Sequence, residues 1–250
     1  MTQDGAEKQD CERNAVKRWH GIHGERLRPL RPVYLGNDIF ACQPIAKMLK
    51  HNGDDFIFTA KESSHKALYD FMAGAEPERH DVKVRKRKST ETRRYRWFDD
   101  VPLRDGKDAM RVNWIGMEIV DAKGRGKFAT AWVTSLPVSK YNVAEIAEAG
   151  RARWKIENES FNVMKNHGYE LEHNFGHGEK LLAMILAALN LLAFAWHSVL
   201  DLIEPPWQAA REAVAKRTTF FADLLTLTTY VVFPSWQVFF EAIATSTIPP

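Results

Sequence analysis

Residues 32–59, PVYLGNDIFACQPIAKMLKHNGDDFIFT, carry the pattern that decides the fold. Val33 to Leu35 read as a short buried strand, with Gly36, Asn37 and Asp38 as its exit. Residues 43–51 have the composition of a helix, and Asn52-Gly53 is its stop signal. Asp55 to Thr59 is a second strand. Ser63 to Met72 follows as another helix, with Ser63 or Ser64 as its cap. Strand, helix and strand joined by short links imply an α/β protein with a mostly parallel sheet. In such sheets ligands and acids gather at the carboxyl ends of strands. Asn37 and Asp38 occupy that position.

Upstream, residues 8–24 are helical in composition, with Trp19 as the main apolar anchor, and Arg28 to Pro32 form a Pro-broken linker. The opening residues contain no apolar strand, so further strands of a larger domain are expected before them. Downstream the texture changes at Arg79. Residues 79–96 hold nine Lys or Arg against two acids. A charged run can be a solvated edge strand guarded against aggregation. This one exceeds what an edge needs, and the interleaved Tyr95, Trp97 and Phe98 favour nucleic-acid contact through phosphates and stacking. Residues 111–120 alternate, 121–126 supply a turn, and 127–135 form a further strand. The block reads as a β-rich insertion between two α/β pieces.

The bulk composition is that of a globular protein: 250 residues, 45% hydrophobic, 27% charged and a net charge of +3. Cys11 and Cys42 lie far apart in no metal-like spacing, which implies a reducing compartment without a disulfide framework. Residues 1–20 are too polar for a signal peptide. Residues 180–200, KLLAMILAALNLLAFAWHSVL, are the most apolar run. About 20 such residues can cross a bilayer, but Asn190, His197 and Ser198 interrupt the run, and a core helix is the expectation. Residues 207–216 and 219–244 read as helical or mixed segments bent at Pro234. His167, His173 and His177 cluster with Glu172 but match no zinc-ligand pattern, and polar loop residues or DNA contacts fit them better.

Between these regions lies GRARWKIENESFNVMKNHGYELEHNFGHG, residues 150–178. It follows a strand ending in TSLP, with Asn142 and Glu145 at capping-box spacing. Arg153, Glu157, Phe161 and Lys165 recur at four-residue steps, along one slowly drifting helix face. Glu157 can be part of a surface ion-pair ladder. It can also be a metal-binding acid beside phosphate-binding cations. Together with Asp38, such carboxylates at the edge of one sheet could hold a pair of Mg²⁺ ions for phosphoryl transfer.

The stretch RARWKIENESFNVMKNHGYELEHNFGHG, followed by LLAFAWH, resembles the C-terminal part of bacterial DDE transposases of the broad IS4-like group, especially the unclassified insertion-sequence (ISNCY-type) members. QDGAEKQDCERNAVKRW, RPVYLGNDIFACQP, TSLPVS and VFPSW resemble the same family. The resemblance implies an RNase H-like fold with a β-rich insertion before the last acid and a helical C-terminal region. It implies DNA cleavage and strand transfer through two Mg²⁺ ions held by an Asp-Asp-Glu triad. Glu157 matches the final Glu. Arg153 and Lys165 match the arginine and lysine of the Y-R-E-K signature, which would grip phosphate. Residues 36–40 match the segment that carries the second Asp.

Three departures qualify the match. Asn37 stands where that Asp is expected, with Asp38 one residue on. The first Asp belongs to an upstream segment that this chain lacks. Gly150 replaces the signature Tyr, and Lys165 lies one residue further from Glu157 than in the common pattern. The expected layout is a partial RNase H-like core at 1–78, the basic insertion at 79–140, the Glu157 helix and a core helix at 141–200, and a helical region at 201–250. The implied metal ligands are Glu157 and Asp38, with Asn37 beside them. The implied DNA contacts are Arg153, Lys165, Arg85, Lys86, Arg87, Lys88, Arg93 and Arg94. The implied partners are duplex DNA at the terminal repeats of an element and a second copy or an intact transposase, in a bacterial cytoplasm and on the nucleoid, with no membrane. The expected outcome is a truncated, inactive transposase copy or a non-enzymatic DNA-binding remnant.

Overall fold

The computed structural model describes residues 11–86, 89–173 and 180–247, with the side chains of Lys86 and Ser89 outside that description. The chain divides into two compact units, Met1–Arg153 and Trp154–Pro250.

The first unit begins with α1 (Glu12–Leu27) and β1 (Val33–Gly36). Then follow α2 (Gln43–Asn52), β2 (Asp55–Thr59) and α3 (Lys66–Met72). Within α2, Pro44 sits in the first turn, where its missing N–H costs nothing. Ile45, Ala46 and Leu49 form its buried face. Gly53 ends it in the left-handed conformation (φ 83°), and its N–H donates to the Leu49 and Lys50 carbonyls. The helix therefore stops where Asn52-Gly53 predicts. α3 begins later than its serines suggest, because His65 precedes its first turn and Ser64 is engaged elsewhere.

Four long strands complete the sheet: β3 (Glu78–Lys86), β4 (Ser89–Pro102), β5 (Arg111–Asp121) and β6 (Gly126–Thr134). The order is β1-β2-β6-β5-β4-β3. β1 and β2 are parallel, with Val33 opposite Asp55 and Gly36 opposite Phe58. Every other pairing is antiparallel. β6 joins β2 directly, Phe58 facing Val133, so the basic strands and the strand–helix–strand piece share one mixed sheet.

Alternation along the strands divides the apolar residues between two faces. On one face Phe56, Phe58, Val101, Val112 and Val133 pack with Ile45, Leu49, Leu68 and Met72 of α2 and α3. On the other, Ile57, Tyr95, Trp97, Ile115, Met117 and Trp132 pack under α4 (Val143–Lys155) through Val143, Ile146 and Ala147. Asn142 does not cap α4 with its side chain. Its amide oxygen accepts from the Ser139 N–H and hydroxyl, which ties the preceding loop. Gly150 lies hard against the sheet. A Cβ there would lie 2.7 Å from the Trp132 indole nitrogen and 3.1 Å from Ile57. No tyrosine fits while Trp132 holds that place.

The second unit contains α5 (Asn162–Asn166), α6 (Leu182–Ile203), α7 (Pro205–Ala213), α8 (Arg217–Tyr230) and α9 (Trp236–Thr245). Trp207, Phe220, Phe239, Phe240 and Ile243 form its core. A polar network adjoins it. The Tyr169 hydroxyl is 2.8 Å from His197 Nδ1, and His197 stacks on Trp207. The Trp207 indole N–H donates to Asp201, which also faces Arg217. α6 is not the core helix its composition suggests: it has no buried residue. Its polar side chains anchor one face to this network, and its apolar majority faces outward.

Two outcomes are expected. Gly150→Ala overpacks the α4–β6 contact and lowers stability by about 1–3 kcal/mol, read as a reduced urea midpoint with an unchanged slope. For His197, burial and the Arg217 charge push the imidazole below its ordinary 6.5, with Asp201 opposing. Above 6.5 both folded and unfolded forms are neutral. As pH falls from 6.5 toward the folded value, only the unfolded chain takes up the proton, so stability is lost across that window. Thermal melts of wild type against His197→Phe should show this acid sensitivity only in the wild type.

Candidate nucleic-acid interface

The two residues at the end of β1 are both engaged. Asn37 precedes a single 3₁₀ turn, and its amide oxygen accepts from the Ile39 N–H at 3.0 Å. Asp38 turns across to the loop after β2. One carboxylate oxygen accepts from the Lys61 N–H at 2.7 Å and lies 3.2 Å from His65 Nε2, and the other accepts from the Ser64 hydroxyl. Burial pushes this carboxyl up. The Ser64 hydroxyl, the Lys61 N–H and the His65 and Lys61 charges outweigh that, so it titrates below its ordinary 3.8. Asp38 is thereby a clamp between two loops. It borders a cavity of about 630 Å³ that is also lined by Arg13, Cys42, Lys47, Lys66 and Arg104.

Glu157 lies in the second unit, within a π-helical turn at Ile156–Phe161. The Asn162 N–H donates to the Glu157 carbonyl, five residues back. A π turn breaks the 3.6-residue period. The four-residue steps from Arg153 to Lys165 run through this turn. Lys165 forms an ion pair with Glu172 at 2.5 Å. Among the described residues, no three His, Cys, Asp or Glu side chains converge as metal ligands. Both Asp38 oxygens are also committed to protein donors. Asp38 belongs to the first unit and Glu157 to the second. His177 lies outside the described residues.

The basic strands give a clearer arrangement. Arg79 stands opposite Arg96, Asp81 opposite Arg94 and Lys83 opposite Thr92. Arg94 in turn faces Glu118, and Arg96 faces Gly116. Cross-strand partners share a face, so Arg79, Lys83, Arg85, Arg94 and Arg96 crowd one side of the sheet with only Asp81 and Glu118 as acids among these positions. That side is the one that α2 and α3 cover further along, at Val101 of β4, and over β3 and residues 90–96 of β4 it is open. Gly116, Ala129 and Ala131 form a floor of small residues, and a groove of about 640 Å³ runs between Arg94, Arg96, Tyr69, Lys61 and Trp114. The Trp114 indole lies across Gly116, where a Cβ would come within 2.5 Å of the ring. Its N–H donates to the Tyr69 hydroxyl.

Strand alternation sorts the sequence candidates. Arg85 and Arg94 are on the open face. Arg93 is on the opposite one, paired with Glu91 and with Glu148 of α4. Tyr95 and Trp97, expected to stack on bases, are buried at 1% and 4% exposure under α4. Their period-two placement puts them inward. Lys86 lies at the end of β3 with its side chain undescribed, and Arg87 and Lys88 lie outside the described residues. Arg79, Lys83, Arg96 and Trp114 were missed by composition alone. Their signal is the strand register, which only the pairing of β3, β4 and β5 reveals. No family model and no curated protein matches this chain in sequence.

Asp38→Asn should lower stability near neutral pH by about 1–2 kcal/mol by weakening charge-assisted hydrogen bonds. The Asp38 contribution is present above 3.8 and is lost as pH falls through its depressed folded value. Urea titrations across that range should show the two proteins converging in acid, and a gap that stays constant would contradict the clamp.

Proposed function

We propose that this chain is a transposase-like DNA-binding protein that contacts duplex DNA through the open cationic face of β3 and β4 and lacks autonomous strand-cutting chemistry. The observation that carries the reading is the side-by-side placement of Arg79, Lys83, Arg85, Arg94 and Arg96 on one uncovered sheet face. A flat array of guanidinium and ammonium groups suits a row of phosphates, and its affinity derives largely from counterion release. The groove floor of small residues lets a backbone approach closely, and Trp114 offers an apolar wall.

Descent from an RNase H-like nuclease is supported by the parallel β1–β2 pair with Asn37 and Asp38 at its carboxyl end, and by the antiparallel strands added beyond β2. β1 is also a sheet edge among the described residues. Loss of cutting follows from the local chemistry: Asn37 supplies a neutral oxygen already in use, and Asp38 serves as a clamp. In an intact relative the acids would hold Mg²⁺, and the terminal repeats of an element would be the DNA partner.

The test is DNA affinity as a function of salt. Binding to a duplex should weaken steeply with salt, with a log–log slope of roughly −4.5 if about five phosphates are neutralised. Arg96→Ala should lower affinity for all sequences alike and reduce the slope by about one. Arg93→Ala should leave the slope unchanged, because Arg93 faces α4. Absence of salt-dependent binding would falsify the reading.

A further inference from the structure

We propose that the cavity beside the exit of β1 binds the phosphate group of a phosphomonoester. Its volume of about 630 Å³ is in the range that takes a small organic ligand. Cations line it from four segments of chain: Arg13 of α1, Lys47 of α2, Lys66 of α3 and Arg104 of the loop after β4. Two acids, Asp38 and Asp105, stand against them. Asp38 already accepts from the Lys61 N–H and the Ser64 hydroxyl. Arg104 is paired with Asp108, whereas Lys47 and Lys66 have no carboxylate within ion-pair distance among the described residues. The Arg13 Nε donates to the Ile39 carbonyl, which holds that side chain at the rim.

Two further features point to an anion. Cys42 gives the first turn of α2 no side-chain cap, and that turn holds no acid, so the positive end of the helix is uncompensated from within. His65, whose side chain is nine-tenths buried, lines the cavity with an Nε2 that makes no hydrogen bond. That nitrogen is 3.2 Å from an Asp38 oxygen but is not aligned with it. A buried polar atom left in this way is costly, and a ligand oxygen would satisfy it. The Gln43 side chain braces the site. It donates to the Asp108 carbonyl and accepts from the Met110 N–H, which holds the loop carrying Arg104 over the start of α2. The floor is apolar, with Ala41, Leu68 and Leu103 all buried. Cations at the rim over an apolar floor suit a charged head on an organic body. Two unpaired lysines and a helix N-terminus match a doubly charged phosphate better than a single carboxylate. The cavity shares no lining residue with the groove over Gly116, and the inference stands apart from the DNA reading.

Calorimetric titration of the full chain with adenosine monophosphate, at constant ionic strength and without DNA, should show saturable binding, and adenosine should show none. Lys47→Ala and Lys66→Ala should each weaken the nucleotide by about tenfold, the loss of one charge-assisted contact. His65→Phe, which keeps a ring and removes the donor, should weaken it likewise. Both lysines are exposed, so their variants decide if the His65 variant fails to fold. Lys123→Ala, in the exposed turn between β5 and β6, should leave the affinity unchanged. Competition identifies the source of the phosphate. Displacement of the nucleotide by an end-phosphorylated oligonucleotide, but not by its hydroxyl-ended twin, assigns a strand end. Displacement by neither assigns a free phosphomonoester. Displacement by both alike overturns the inference, because internal phosphates would then suffice. So does a chain that does not bind the nucleotide, adenosine binding as tightly as its monophosphate, or an affinity that neither lysine substitution changes.

Discussion

The first unit depends on the short antiparallel seam between β2 and β6. Ile57, Phe58 and Thr59 pair with Thr134, Val133 and Trp132, and there the parallel half of the sheet meets the antiparallel half. Side chains reinforce the seam. The Thr134 hydroxyl donates to the Phe56 carbonyl, and the Ser135 hydroxyl accepts from the Phe56 N–H. Both cores cross it, one through Phe58 and Val133 and the other through Ile57 and Trp132. Weakening the seam would separate the helical layers and the cationic strands together.

The strand–helix–strand unit was legible because its punctuation is local: a proline in the first turn of α2, a glycine with positive φ at its end, and in β2 a continuous apolar run from Phe56 to Phe58 that is buried on both faces. The basic strands were legible as strands but not as faces. Arg93 and Arg94 are neighbours in sequence and point to opposite sides of the sheet, and only long-range register says which side a helix covers. Tyr95 and Trp97 show the same effect, since a residue that looks like a stacking platform in composition becomes core once α4 lies over it. The π turn around Glu157 was not readable either, because a single-turn change of helical period leaves no composition signal.

Asp38 and Asn37 show how a polar strand end can serve structure. A carboxylate that accepts from a main-chain N–H and a hydroxyl, with an imidazole 3.2 Å away, has both oxygens occupied, and its depressed pKa reflects those neighbours. A ligand of a metal keeps its oxygens for the ion. The same residue type at nearly the same place can therefore either hold a cation or hold a loop, and only the hydrogen-bond partners distinguish the two.

The position of β3 in the sheet has a further consequence. β3 is an edge, and its outward side chains Lys83 and Arg85 are cations at a place where unpaired backbone groups would otherwise recruit foreign strands. The same charges thus give colloidal protection and a positive potential at that edge. A bound polyanion would neutralise the guard while occupying the neighbouring face. Diluting these charges would make the edge adhesive, so solubility and the electrostatics of the neighbouring face are tied together in one strand.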